Sequence, residues 1–112
     1  MIKLPKQKES VIQLQILKYL RVLGAYAGKT RTMGVRHGKT FYLDQYIFLG
    51  FPDLTFFYKQ KLYFCECKSR DGKQSEAQKK FEIYCEWSGI RYILARSVED
   101  VQDALRKDGH NV

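Results

Sequence analysis

No run of about 18 apolar residues occurs in this 112-residue chain, which excludes a membrane-spanning helix on length alone. The opening "MIKLPKQKES" leads into no apolar core of the kind a secretory signal carries, so the expected setting is cytoplasmic. Cysteines number only three, and Cys65 and Cys67 stand too close along one run to bridge, so reduced thiols are expected. The two histidines, His37 and His110, offer no second pair at a zinc spacing. Repeats and low-complexity tracts are missing as well. Acid is scarcest at the start, where residues 1–40 contain nine Lys or Arg and a single carboxylate, Glu9.

Residues 41–112 hold eleven charges of each sign, so the whole excess of +8 lies in the first third. That asymmetry favours a polyanionic partner. The stretch "KTRTMGVRHGKT" at 29–40, broken by glycines, reads as a charged loop or hairpin. Its Lys29, Arg31, Arg36, His37 and Lys39 are the leading DNA contacts, with Lys73 a further candidate. What is plentiful is apolar surface: 45% hydrophobic and 14% aromatic residues suit one compact domain spanning 1–112.

Apolar residues at 12, 16, 17, 20 and 23 predict a helix over 8–23 that stops at Gly24. A short strand is expected at 25–28. "LTFFYK" and "LYFCECK" read as an antiparallel hairpin turning at Gln60-Lys61, without the usual Asn or Gly. "SEAQKKFEIYCEWSG" opens with a capping box, Ser75 and Gln78, and closes at Gly89, with Trp87 expected on its inner face. "IRYILA" is a strand, and Ser97 caps a last helix. The predicted class is α/β (an α+β mixed sheet) in the order α, β-hairpin, α, β, α, with helices on both faces and a helical crossover to the last strand. The apolar "YIFLGF" at 46–51 is a candidate subunit interface.

The chemistry is expected at one end of the hairpin. Side chains alternate along a strand, so Glu66 and Lys68 share a face, about 6–7 Å apart. Asp53, just after Pro52, begins the partner strand and falls near them. Two carboxylates and a backbone carbonyl, that of Cys67, suit Mg2+, which prefers hard oxygen ligands. A lysine beside them can orient the attacking water and offset charge on a phosphate. Glu9 lies on the core-facing stripe of the first helix, where an acid needs a partner. Gln78 has competing duties, to Ser75 in the cap and to the site. Taken singly, each residue also has a plain reading: Glu66 and Lys68 as a surface ion pair, Asp53 as a turn cap, and Glu9 as a first-turn acid.

"PD" at 52–53 followed by "ECK" at 66–68 resembles the PD-(D/E)xK nuclease signature. Glu9 in "KESVIQLQILKYL", "GFPDL", "ECKSRDGKQSEAQKKF" and "GIRYILARSVEDVQDAL" together resemble the VRR-NUC family, the virus-type replication-repair nucleases, over about residues 8–105. The resemblance implies a restriction-endonuclease-like core and Mg2+- or Mn2+-dependent hydrolysis of DNA phosphodiester bonds. It implies that Asp53 and Glu66 bind the metal, that Glu9 adds a carboxylate through water, that Lys68 positions the nucleophile, and that Gln78 is the family's glutamine near the site. It further implies a homodimer acting on branched DNA such as four-way junctions, a phage or viral origin, and a role in DNA repair. Two other readings stay open: a DNA-binding module without catalysis on the same fold, and a nuclease acting on RNA.

Overall fold

The computed structural model describes residues 5–30, 35–37, 40–42 and 46–112. Along these residues the chain forms α1 (Glu9–Leu23), β1 (Tyr26–Lys29), β2 (Val35–His37), β3 (Thr40–Tyr42), β4 (Leu54–Tyr58), β5 (Lys61–Cys67), α2 (Glu76–Ser88), β6 (Arg91–Ala95) and α3 (Val98–Lys107). The expected order holds: the short strand expected at 25–28 is β1, and a small antiparallel hairpin, β2–β3, forms in and just after the basic stretch before the main hairpin. The main sheet runs β1-β4-β5-β6: β1, β4 and β5 are antiparallel neighbours, and β6 joins β5 in parallel after crossing over through α2. A parallel neighbour cannot be reached by a tight turn, which is why a helix intervenes.

Strand β5 divides the molecule into layers. Tyr63, Cys65 and Cys67 have no exposed surface and face a core shared with Leu54, Phe56, Ile16 and Leu20, and with Val101 and Leu105 of α3. α1 buries the stripe that its spacing predicts, Ile12, Ile16, Leu17 and Leu20, and ends at Gly24 with φ of 96°, a conformation glycine adopts at little cost. On the opposite face Phe64 meets Phe51 and Phe81, each at 5.3 Å between ring centroids, so α2 covers that side. Glu66 shares Phe64's face and therefore lies under α2.

Two local expectations are corrected. Tyr58 pairs with Lys61, so the hairpin turns at Lys59-Gln60 rather than Gln60-Lys61. Both turn residues have positive φ, 47° and 68°, as a two-residue turn matching the strand twist demands. Trp87 does not pack inward: it is 77% exposed and makes an edge contact with Tyr84 at 5.5 Å. The reason is that α2 docks through Phe81 and Cys85, which leaves Trp87 on the solvent side of the final turn.

At the far end of the sheet from Lys68, a polar group ties down the segment after α3. The Tyr63 hydroxyl donates to Asp108 Oδ2 at 2.9 Å, and Arg91 Nε donates to the same oxygen at 2.8 Å. With its proton committed to Asp108, the Tyr63 oxygen accepts from His110 Nε2 at 3.0 Å. Among the described residues no helix is long and apolar enough to cross a membrane.

Candidate active site

Register brings the two carboxylates together. Leu54 pairs with Cys65, so the next step outward sets Asp53 opposite Glu66. Pro52, fully buried, fixes the approach to β4. The Cys67 amide donates to Asp53 Oδ2 at 2.9 Å and holds that carboxylate at the strand end. A strand residue's N–H and C=O point to the same side, so the Cys67 carbonyl is directed past the end of β4 toward Asp53. Lys68 N turns the other way, to Ala95 O of β6 at 3.0 Å.

Glu66 is 1% exposed, not the surface partner its isolated motif allowed. Its Oε1 accepts from Gln78 Nε2 at 3.0 Å and lies 4.0 Å from Lys68 Nζ. Its Oε2 is buried and has no hydrogen-bond partner among the described residues. Burial first, then the neighbouring Asp53 carboxylate, push the Glu66 carboxyl up to about 8; Lys68 works against the shift and Glu9 adds to it. A buried carboxylate with an orphaned oxygen beside a second carboxylate needs either a proton or a further cation.

Gln78 performs both of the duties expected to compete. Its Oε1 accepts from Ser75 N at 2.8 Å, Ser75 Oγ accepts from Gln78 N at 3.1 Å, and Nε2 remains for Glu66. The cap fixes the amide's orientation, so the end that faces Glu66 is the donor end. Gly50 makes the approach possible: with φ of 73°, an added Cβ would come within 2.4–2.6 Å of Ala77 C, Ala77 O and Gln78 N. The "GFPD" segment and the first turn of α2 thus touch backbone to backbone.

Glu9, half-buried at the start of α1, reaches the turn that follows Lys68: a Cβ on Gly72 would lie 3.3 Å from Glu9 Oε1. That turn is held by Arg96, whose Nη1 donates to Ser69 O at 2.6 Å and Gly72 O at 2.7 Å. Sequence reasoning missed Arg96. Its motif context, "ARSVED", signals a helix cap, and nothing local indicates that its side chain reaches back 24 to 27 positions.

The DNA-contact candidates divide. Lys29 is exposed in β1 opposite Leu54, and Thr30 N donates to Asp53 O at 2.8 Å, so the basic segment leaves the sheet beside the carboxylates. Arg36 and His37 belong to β2. Arg31 and Lys39 lie outside the described residues. Lys73 is exposed between the Ser69–Gly72 turn and α2.

Among the described residues no group of three or more His, Cys, Asp or Glu forms a metal-ligand cluster. The arrangement is instead a pair of carboxylates, Asp53 and Glu66, with a strand carbonyl aimed alongside. That donor set is oxygen only and suits a hard divalent cation that keeps several waters, and the orphaned Glu66 Oε2 is what such an ion would satisfy. No family model and no curated protein sequence matches the chain. A solved structure described as "VRR_NUC domain" matches with a TM-score of 0.63 at 18% identity, covering 91% of this chain and 97% of that one. The chain shares its mixed α/β fold with that domain.

Proposed function

We propose that the chain is a metal-dependent nuclease that hydrolyses phosphodiester bonds in DNA, with branched DNA such as four-way junctions as the preferred substrate. The observation that carries this reading is the buried Glu66 carboxylate, one oxygen orphaned, facing Asp53 and flanked by Lys68. The shared fold with a VRR_NUC domain supports the same chemistry.

Asp53, Glu66 and the Cys67 carbonyl would hold Mg2+ or Mn2+, with Glu9 acting through a water. When bound, the ion supplies a Lewis acid for a phosphate oxygen and for the attacking water. Lys68 orients that water and offsets charge developing on the phosphate. Gln78 donates to Glu66 Oε1, which favours the ionised carboxylate that metal binding requires. Lys29, Arg31, Arg36, His37, Lys39 and Lys73 contact the phosphate backbone. Selectivity rests on substrate shape and contacts to the phosphates rather than on base reading.

Cleavage of labelled junction, flap and linear duplex DNA with Mg2+ or Mn2+, at fixed salt, tests the reading. Lys68→Ala should lower the rate by about 10²–10⁴-fold, and Asp53→Ala by a comparable factor. Wild-type rates in both variants would overturn the assignment. Exposed Phe48 and Leu49, beside Tyr46, offer a two-fold contact for a homodimer. A molecular mass of one chain by light scattering, with and without junction DNA, would rule the dimer out.

A further inference from the structure

Arg96 contacts none of the proposed metal ligands directly, yet three backbone carbonyls converge on it. Its Nη1 donates to Ser69 O at 2.6 Å, Gly72 O at 2.7 Å and Arg70 O at 3.3 Å, so one guanidinium nitrogen closes the turn that follows Lys68. Arg96 is fixed from its own side. Ala95 O accepts from Lys68 N at 3.0 Å, and Arg96 N donates to Asp100 Oδ2 at 2.8 Å. Three carbonyl dipoles pointing at one place repel one another unless a cation sits among them. Within the turn itself Gly72 N donates to Ser69 O at 3.0 Å.

Two parts of the site depend on this turn. Lys68 is the residue before it, so the turn fixes where the lysine's backbone leaves the strand. Glu9 rests against it: a Cβ on Gly72 would stand 3.3 Å from Glu9 Oε1 and 3.2 Å from Ser69 Oγ. If the Ser69–Gly72 carbonyls lost their common donor, the turn would open and both residues would shift relative to Glu66.

We propose that Arg96 is a positioning residue of the site: by holding the Ser69–Gly72 turn it sets Lys68 and Glu9 against Glu66 without touching substrate or metal. The inference rests on the nuclease reading above. An outer residue of this kind, when removed, costs about 10–100-fold in metal affinity or activity.

The test compares wild type, Arg96→Met, Arg96→Lys and, as a control, Arg106→Met, which loses an exposed bond from Arg106 Nε to Val112 O and an exposed ion pair with Asp103, both away from the site. Steady-state kinetics on labelled DNA and a calorimetric Mn2+ titration are read for each, with thermal midpoints alongside. Arg96→Met should lower kcat or Mn2+ affinity by about 10–100-fold while KM for DNA stays near wild type. Arg96→Lys should recover most of that loss, because an ammonium also brings three N–H donors. Arg106→Met should match wild type in rate. Wild-type kcat and Mn2+ affinity in Arg96→Met would overturn the proposal, as would equal losses in the Met and Lys variants that merely follow their thermal midpoints. Should Arg96→Met fail to fold, Arg96→Gln takes its place and is read the same way. A wild-type protein that neither cleaves nor binds Mn2+ refutes the nuclease reading itself, whereas an active wild type with an equally active Arg96→Met refutes only the role of Arg96.

Discussion

Glu66 stands where an ionised carboxylate is least favoured, and pH should reveal it. In the folded chain it keeps its proton up to about pH 8, against an ordinary value of 4.5, so between those values the folded form binds more protons than the unfolded one. Stability of the metal-free protein therefore falls as pH rises from about 4.5 toward 8. Thermal melts of wild type and Glu66→Gln across that range should show the wild type losing ground relative to the variant as pH rises. Metal binding must expel the same proton. Mn2+ affinity should thus rise about tenfold per pH unit between 6 and 8, level off above, and lose this dependence in Glu66→Gln. Alternation along "LYFCECK" placed Glu66 and Lys68 on one face, and hairpin register placed Asp53 across from them. The depth of Glu66 was not legible, because it comes from α2 lying over that face. The two duties of Gln78 compete only on paper, because the amide oxygen serves the cap and the amide nitrogen serves Glu66.

At the scale of elements, hairpin, helix caps and crossover were readable because each rests on local rules: alternation in β4 and β5, Ser75 and Ser97 before helices, Gly24 and Gly89 after them. The turn between β4 and β5 is illegible in sequence: Lys59 and Gln60 take positive φ, where Asn and Gly are at ease, and neither residue type signals it. Replacing the pair by Asn-Gly should stabilise the protein by about 1 kcal/mol in denaturant titration and leave DNA cleavage unchanged. Gly50 carries the opposite expectation. Any side chain there meets the Ala77–Gln78 backbone closer than 3.0 Å, so Gly50→Ala must push α2's first turn off the sheet. Gln78 then loses Glu66, and cleavage should fall more steeply than the accompanying drop in thermal midpoint, as activity and melting curves measured on one preparation will show.

Across the whole molecule the uneven charge gains a location. The basic stretch that begins at Lys29 leaves β1 beside Asp53, since Thr30 N donates to the Asp53 carbonyl. Composition alone showed the asymmetry, but only the β1–β4 pairing attaches it to the site. DNA affinity should decline linearly with log salt, each phosphate contact adding about 0.9 to the slope. Lys29→Ala should lower that slope by about one and leave Mn2+ affinity untouched, which binding isotherms at several salt concentrations would establish. Arg96 and the Tyr63–Asp108–His110 group were illegible for a related reason: each joins positions far apart in the chain, and no short motif encodes such a contact.

The parallel pairing of β6 with β5 has a consequence for the order in which the protein is made. Every side chain of the proposed site, from Glu9 to Gln78, leaves the ribosome before the strand that receives Lys68 N and before the arginine that closes its turn. A nascent chain therefore carries the full complement of reactive groups while lacking the partner that aligns them. A polypeptide stopped after Gly89 should fail to cut DNA at any metal concentration, because β6 and Arg96 are what align the groups already made.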